Sequence, residues 1–171
     1  MKMFSAILLL ILATCHGHAQ VPDGTVILSS KKGLIGRIAQ RVTGGDQYTH
    51  AAIVLDGYVY ESDWPRAKRT PVNQYGKWRS TNDFYVPSQP LSRGQVSAMR
   101  SKAQSMLGTR YDLRNYFRPG SARNAGTWCS PYVGKVLGAG GVTLSSHQMH
   151  EPQNLKQAIG HRYRFARRTL R

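Results

Sequence analysis

The sequence predicts an α+β fold in which an antiparallel sheet packs against helices. Two observations lead to this class. Asp56-Gly57 is a hairpin turn signal between two strand-like runs, and several other segments repeat apolar residues at helical spacing. The chain has 171 residues, 40% of them hydrophobic, which is enough for one domain with a substantial core. We expect a single domain over residues 20–171, preceded by a short leader.

Short runs of β-branched and aromatic residues, bounded by turn residues, predict the strands. They cover residues 24–29, 48–55, 58–61, 69–72, 83–86 and 163–166. In a two-residue hairpin closed by Asp56-Gly57, the numbers of paired residues sum to about 113. His50 then faces Asp63, and Glu61 is its diagonal neighbour on the same face. Alternation along the strand also places Tyr48 on the face of His50.

Apolar residues at helical spacing predict helices over residues 34–42, 92–107, 129–137 and 152–159. Ser92 and Gln95 have the spacing of a capping box at the start of the second of these. Pro131 suits an opening turn, because the first turn leaves its N–H groups unpaired in any case. Cys129 therefore lies at the N-terminus of a helix whose apolar stripe faces the sheet.

The first residues have the three-part pattern of a secretory signal peptide. Lys2 gives a positive start, residues 6–13 are an unbroken apolar run, and Gly17-His18-Ala19 places small residues at a cleavage site. The run is too short to span a bilayer, which takes about 20 residues. We expect cleavage after Ala19 and export to the periplasm or the extracellular space. A membrane-anchored N-terminus and a lipoprotein attached at Cys15 are the alternatives.

Charge is the outlying property of the composition. There are 24 Lys and Arg residues against 8 Asp and Glu, which gives a net charge of +16. Such an excess favours an anionic partner. The arginine-rich end, residues 161–171, has the composition of a segment that binds nucleic acid. Export argues against nucleic acid as the partner. We expect an anionic cell-envelope polymer or a peptide substrate, wall or peripheral membrane association through the basic surface, and a monomer.

Loss of the leader leaves Cys129 as the single cysteine. A helix N-terminus favours the thiolate, and a neighbouring imidazolium makes cysteine a nucleophile at neutral pH. His50 is the candidate partner, with Glu61 or, as second choice, Asp63 to orient it. The alternatives are a buried core thiol, a core histidine, and a glutamate paired with an arginine.

Four motifs, taken in order, resemble the circularly permuted NlpC-type papain-like cysteine hydrolases, in particular the YiiX-like branch. Lecithin-retinol-acyltransferase-like proteins are more distant. The motifs are Tyr48-Thr49-His50-Ala51-Ala52-Ile53-Val54, Asp56-Gly57-Tyr58-Val59-Tyr60-Glu61, Gly108-Thr109-Arg110-Tyr111-Asp112 and Trp128-Cys129-Ser130. In this group the histidine precedes the cysteine, and the polar third member lies on the following strand. Pro131 departs from the pattern, since many relatives have a glutamate there.

The resemblance implies a permuted papain-like fold and a role for each matching residue. Cys129 is the nucleophile, His50 the general base and Glu61 the orienting residue. The Cys129 amide contributes to an oxyanion hole, to which Tyr48 or Tyr111 adds a hydroxyl donor. We expect no cofactor and no metal, since no further ligands cluster with His147 and His150.

The function that these roles imply is a cysteine peptidase or amidase that cleaves an amide bond in peptidoglycan peptides through a thioester. One alternative is an acyl-lipid hydrolase or acyltransferase with the same dyad. The absence of an obvious amphipathic membrane helix in the sequence argues against it. The other alternative is a catalytically silent, basic module that binds the envelope.

Overall fold

The computed structural model describes residues 21–31, 47–76, 79–112 and 126–166. The predicted leader, Cys15 and the helix predicted over 34–42 lie outside these residues. The described part contains six strands and three α-helices. The strands are β1 (Val26–Lys31), β2 (His50–Leu55), β3 (Tyr58–Ser62), β4 (Ala67–Pro71), β5 (Arg79–Pro87) and β6 (Tyr163–Ala166). The helices are α1 (Arg93–Ser105), α2 (Cys129–Ala139) and α3 (Pro152–Ile159).

The six strands form one sheet in the order β4-β3-β2-β1-β5-β6. Each neighbouring pair is antiparallel. The prediction of an α+β fold with an antiparallel sheet packed against helices is therefore confirmed. The strand β5 is longer than predicted, because it begins at Arg79 rather than at Asp83.

The hairpin between β2 and β3 has the predicted turn and register. Asp56 and Gly57 have φ angles of 50° and 73°, the left-handed conformations that a type I′ turn requires. Ile53 pairs with Tyr60 and Leu55 pairs with Tyr58. This register fixes which residues of β3 lie beside the start of β2.

Alternating residues of the sheet contribute to two separate apolar clusters. One cluster joins the sheet to the helices and is listed here by its largest fully buried members: Tyr48, Tyr60, Tyr132, Leu28, Ile53, Leu55, Met99, Leu137, Leu155 and Ile159. The second cluster contains Ile27, Ala52, Val54, Val59 and Phe84, together with Val21 and Tyr75. Both faces of the central strands are thus buried.

The helix α1 is capped at its start and is bonded to α2. Ser92 and Gln95 form the predicted capping box at the start of α1. The buried hydroxyl of Tyr132 in α2 donates to the carbonyl of Ala103 in α1 at 2.9 Å, so the two helices are held together. Within the described residues, none of the helices has both the length and the hydropathy needed to cross a bilayer.

Candidate active site

Cys129 is the first residue of α2 and is 3% exposed. Trp128 precedes it in an extended conformation. The following residues of the apolar stripe, Val133, Val136 and Leu137, are fully buried, so packing against the sheet fixes the axis of the helix. The thiol therefore lies at the positive end of a helix that cannot easily move.

Residues 126–128, called here the approach segment, lead into Cys129 and are held on two sides. The amide of Thr127 donates to the carbonyl of Arg110 at 3.0 Å, and its carbonyl accepts from the amide of Asp112 at 3.0 Å. The hydroxyl of Ser62 in β3 donates to the same carbonyl at 3.1 Å. The 108–112 motif thus lies beside the approach segment and supports it.

His50 is the first residue of β2 and is 1% exposed. Its Nε2 lies 2.7 Å from Oε2 of Glu61. His50 also interacts with the thiol of Cys129, and each of the two groups shifts the pKa of the other. Because Nε2 is bound to Glu61, Nδ1 is the ring nitrogen that faces the sulfur. The backbone of Ala51 also acts to lower the pKa of this thiol.

The structure places the two candidate carboxylates differently. Glu61 is 2% exposed and contacts the imidazole directly. Asp63, beyond the end of β3, contacts Nη2 of Arg79 at 3.4 Å and Nζ of Lys68 at 3.8 Å. Of the two, Glu61 therefore makes the direct contact that an orienting residue needs. Its role in catalysis stays a prediction.

Arg79 is a member of this cluster that the sequence reasoning did not single out. Its Nη2 donates to Oε2 of Glu61 at 2.9 Å, and its guanidinium carbon lies 5.5 Å from the centroid of the Tyr75 ring. One arginine among many basic residues has no individual signal in the sequence. Glu61 does pair with an arginine, as the alternative interpretation predicts, and its carboxylate contacts His50 at the same time.

The three predicted residues have shifted pKa values. Burial alone raises the pKa of the Cys129 thiol, but the hydrogen bond and charge of His50 outweigh burial and lower it. Burial and the charge of Arg79 oppose protonation of His50, yet its hydrogen bonds to Cys129 and Glu61 raise its pKa overall. These directions favour a thiolate–imidazolium pair.

The carboxyl of Glu61 is shifted in the direction that suits this pair. Burial raises its pKa, but the hydrogen bond and charge of His50, together with the charge of Arg79, lower it overall. The site therefore holds an ionised carboxylate next to the imidazolium.

The two predicted hydroxyl donors differ in their surroundings. Tyr48 donates to Oδ2 of Asp83 at 2.5 Å and belongs to the cluster of Ala51 and Ile53, not to that of Ala52. The alternation expected to place Tyr48 on the face of His50 is wrong, because β2 begins only at His50. This hydroxyl proton is therefore already committed to Asp83.

Tyr111 is partly buried and lies within electrostatic range of Cys129. Burial first, and then the charge of Cys129, raises the pKa of its hydroxyl, which therefore keeps its proton at neutral pH. A protonated hydroxyl near the thiol suits the donor role. That role stays a prediction.

Comparison with known proteins identifies a solved structure with a similar fold. No protein-family model and no curated protein matches the chain. Its structure resembles the crystal structure of metalloprotein YiiX from Escherichia coli O157:H7, with a TM-score of 0.64 and 19% sequence identity. The match covers 88% of this chain and 98% of that one. The likeness shows a shared fold, and it agrees with the expected YiiX-like branch at the level of the fold alone.

Proposed function

We propose that this chain is an exported cysteine hydrolase of the permuted papain-like type, which cleaves an amide bond in peptidoglycan peptides. One observation carries the proposal: the buried thiol of Cys129 at the start of α2 interacts with His50, whose Nε2 lies 2.7 Å from Oε2 of Glu61. Nucleophile, base and orienting group stand in the sequence of contacts that covalent catalysis requires. The proposed compartment is the periplasm or the extracellular space, reached through the leader over residues 1–19.

In the first step, the thiolate of Cys129 attacks the carbonyl carbon of the amide. The charge that develops on the carbonyl oxygen is stabilised by the amide of Cys129 and by the hydroxyl of Tyr111. The imidazolium of His50 gives its proton to the amide nitrogen, and the carbon–nitrogen bond breaks. The amine leaves, and a thioester remains on Cys129.

In the second step, neutral His50 accepts a proton from water, and the water oxygen attacks the thioester carbonyl. The carbon–sulfur bond breaks, the acid is released, and the thiolate–imidazolium pair is restored. Throughout both steps Glu61 accepts the Nε2–H bond. It therefore keeps Nδ1 of His50 directed at the reacting atoms.

YiiX is described as a metalloprotein, so the fit of Cys129, His50 and Glu61 to a metal ion bears on the proposal. A cation at Oε2 of Glu61 would meet Nη2 of Arg79, which already binds that oxygen at 2.9 Å. His50 Nε2 is bonded to the same oxygen. Over residues 21–31, 47–76, 79–112 and 126–166, no group of three His, Cys, Asp or Glu side chains is arranged to hold a metal ion. The donor set does not fit a metal.

We propose an anionic substrate or polymer as the partner, held in part by a basic rim of Arg66 and Arg110. These exposed arginines stand opposite each other in an isolated antiparallel bridge. Like charges placed directly opposite repel, and a bound anion relieves this repulsion. Arg110 precedes Tyr111, so the rim lies close to the candidate site. The net charge of +16 acts in the same direction at longer range.

The test is to incubate the purified protein with muropeptides and to follow both products and protein by mass spectrometry. We expect amide cleavage and a transient thioester on Cys129, both absent from Cys129→Ala. Release of fatty acid from lipids instead would support the acyl-lipid alternative. Salt-sensitive binding to envelope polymers that is unchanged in Cys129→Ala, without cleavage of either substrate, would support a binding module.

A further inference from the structure

Arg79 brings a buried positive charge to Glu61 from a distant strand. In the sheet, β2 and β1 separate β5 from β3. Arg79 is nevertheless only 8% exposed, and its Nη2 binds the carboxylate oxygen that also binds His50. A buried guanidinium is tolerated only when it is paired. The contact with Glu61 is therefore a requirement of the fold as well as a feature of the site.

A register shift in β5 directs this side chain. Ser30 pairs with Thr81, but Lys31 pairs with Arg79, so Ser80 is an extra residue in the strand. In a regular strand Arg79 would share the face of Tyr85, which belongs to the cluster beneath the helices. The extra residue turns it to the opposite face, where Tyr75 lies. Bulges of this kind re-aim side chains next to functional sites.

We propose that Arg79 is a positioning residue of the candidate active site, which holds Glu61 in the orientation that directs His50 toward the thiol. The inference rests on the proposed function, because it assigns Arg79 a part in the same chain of contacts. Oε2 of Glu61 accepts from both Arg79 and His50, so the carboxylate cannot rotate without losing two charge-assisted hydrogen bonds.

Arg79 also sets the charge balance of the cluster. The charged and titratable groups around Arg79 and Glu61 come from several elements. They are His50 in β2, Glu61 in β3, Asp63 after β3, Lys68 in β4, Cys129 in α2, and the loop residues Tyr75 and Tyr111. The guanidinium favours the ionised form of Glu61 and opposes the imidazolium. Removing its charge should therefore let His50 keep its proton to higher pH.

The test measures iodoacetamide labelling of Cys129 against pH, read by peptide mass spectrometry. Its alkaline limb reports loss of the imidazolium proton. We expect Arg79→Met to slow labelling at neutral pH, because His50 loses its orientation, and to move the alkaline limb upward by about one pH unit, because the charge is lost. Arg79→Lys, which keeps the charge, should leave the limb in place. If Arg79 positions His50 through Glu61, the rate of labelling at neutral pH that remains in Glu61→Gln should not fall further when Arg79→Met is added, although the alkaline limb still moves with the lost charge. Arg100→Met, which breaks an exposed Arg–Asp pair, is the matched control.

The comparison of Glu61→Gln with the double variant decides the matter even if Arg79→Met alone does not fold. The double variant removes both buried charges together, so neither is left unpaired. Different rates of labelling at neutral pH for these two proteins, or a wild-type rate for folded Arg79→Met, would overturn the positioning role. His50→Gln separates this from the proposed function. If it leaves labelling unchanged, the dyad itself is absent and both proposals fail.

Discussion

Replacing Gly126 by alanine tests whether the approach segment positions the nucleophile. A Cβ at this position would overlap Cβ of Asp112 and would lie 3.1 Å from the carbonyl oxygen of Arg110. Carbon atoms in contact stand about 3.5–4.0 Å apart, so the two segments must separate by roughly 1 Å. The two backbone hydrogen bonds that join Thr127 to Arg110 and Asp112 are each 3.0 Å long and would be broken.

The size of the effect follows from these contacts. Each lost bond contributes about 0.5–1.5 kcal/mol, so the free energy of unfolding should fall by about 1–3 kcal/mol. The shift also displaces Cys129, three residues further on, relative to His50. A misplacement of about 1 Å can lower a rate by roughly 100-fold. Labelling of Cys129 at neutral pH should therefore slow by a factor of that order.

Urea unfolding and iodoacetamide labelling measure the two effects separately. Gly138→Ala is the matched control, because a Cβ there meets open space. Gly138 lies in α2, where alanine is favoured over glycine by about 0.5–1 kcal/mol, so stability should be unchanged or higher and labelling unaffected. If Gly126→Ala labels and unfolds like the wild type, the approach segment does not position the thiol.

Three further predictions concern pH, capping and charge. The stability advantage of the wild type over Glu61→Gln should be full above the ordinary pKa of 4.5 and lost as the pH falls through the lower folded-state pKa. A constant difference in urea unfolding across that range would contradict the shift. Ser92→Ala should lower the free energy of unfolding by about 1 kcal/mol, since it removes the capping box; an unchanged urea midpoint would argue against the cap. Replacing Arg66 and Arg110 by glutamine should slow labelling by anionic iodoacetate more than by neutral iodoacetamide. An equal effect from Arg164→Gln, at the opposite edge of the sheet, would show that no local rim exists.

Local signals in the sequence were sufficient for the parts of the fold that depend on neighbouring residues. The turn at Asp56-Gly57 fixes a two-residue hairpin, and this alone places Glu61 diagonally from His50. Ser92 and Gln95 likewise determine where α1 begins. In each case the residues that interact are close in the chain, so their spacing carries the geometry.

The remainder depends on contacts between distant residues. Arg79 contacts Glu61 although β1 and β2 lie between their strands, because the register of β5 shifts at Ser80. No pattern in the amino-acid sequence predicts either the strand order or the register shift. Tyr48 is an example of a wrong prediction. The predicted alternation of side chains extends to Tyr48, but the strand begins only at His50, so the alternation does not apply there.

Because of the shift at Ser80, the contact between Arg79 and Glu61 depends on the number of residues in β5. Deleting this one residue would return Arg79 to the face beneath the helices, leaving Glu61 without its guanidinium partner. No change to any residue of the cluster would be needed. Among chains with this fold, those that have the extra residue at this point of β5 should also have the buried arginine. Chains that lack the extra residue should neutralise the charge of the carboxylate with a group from another position.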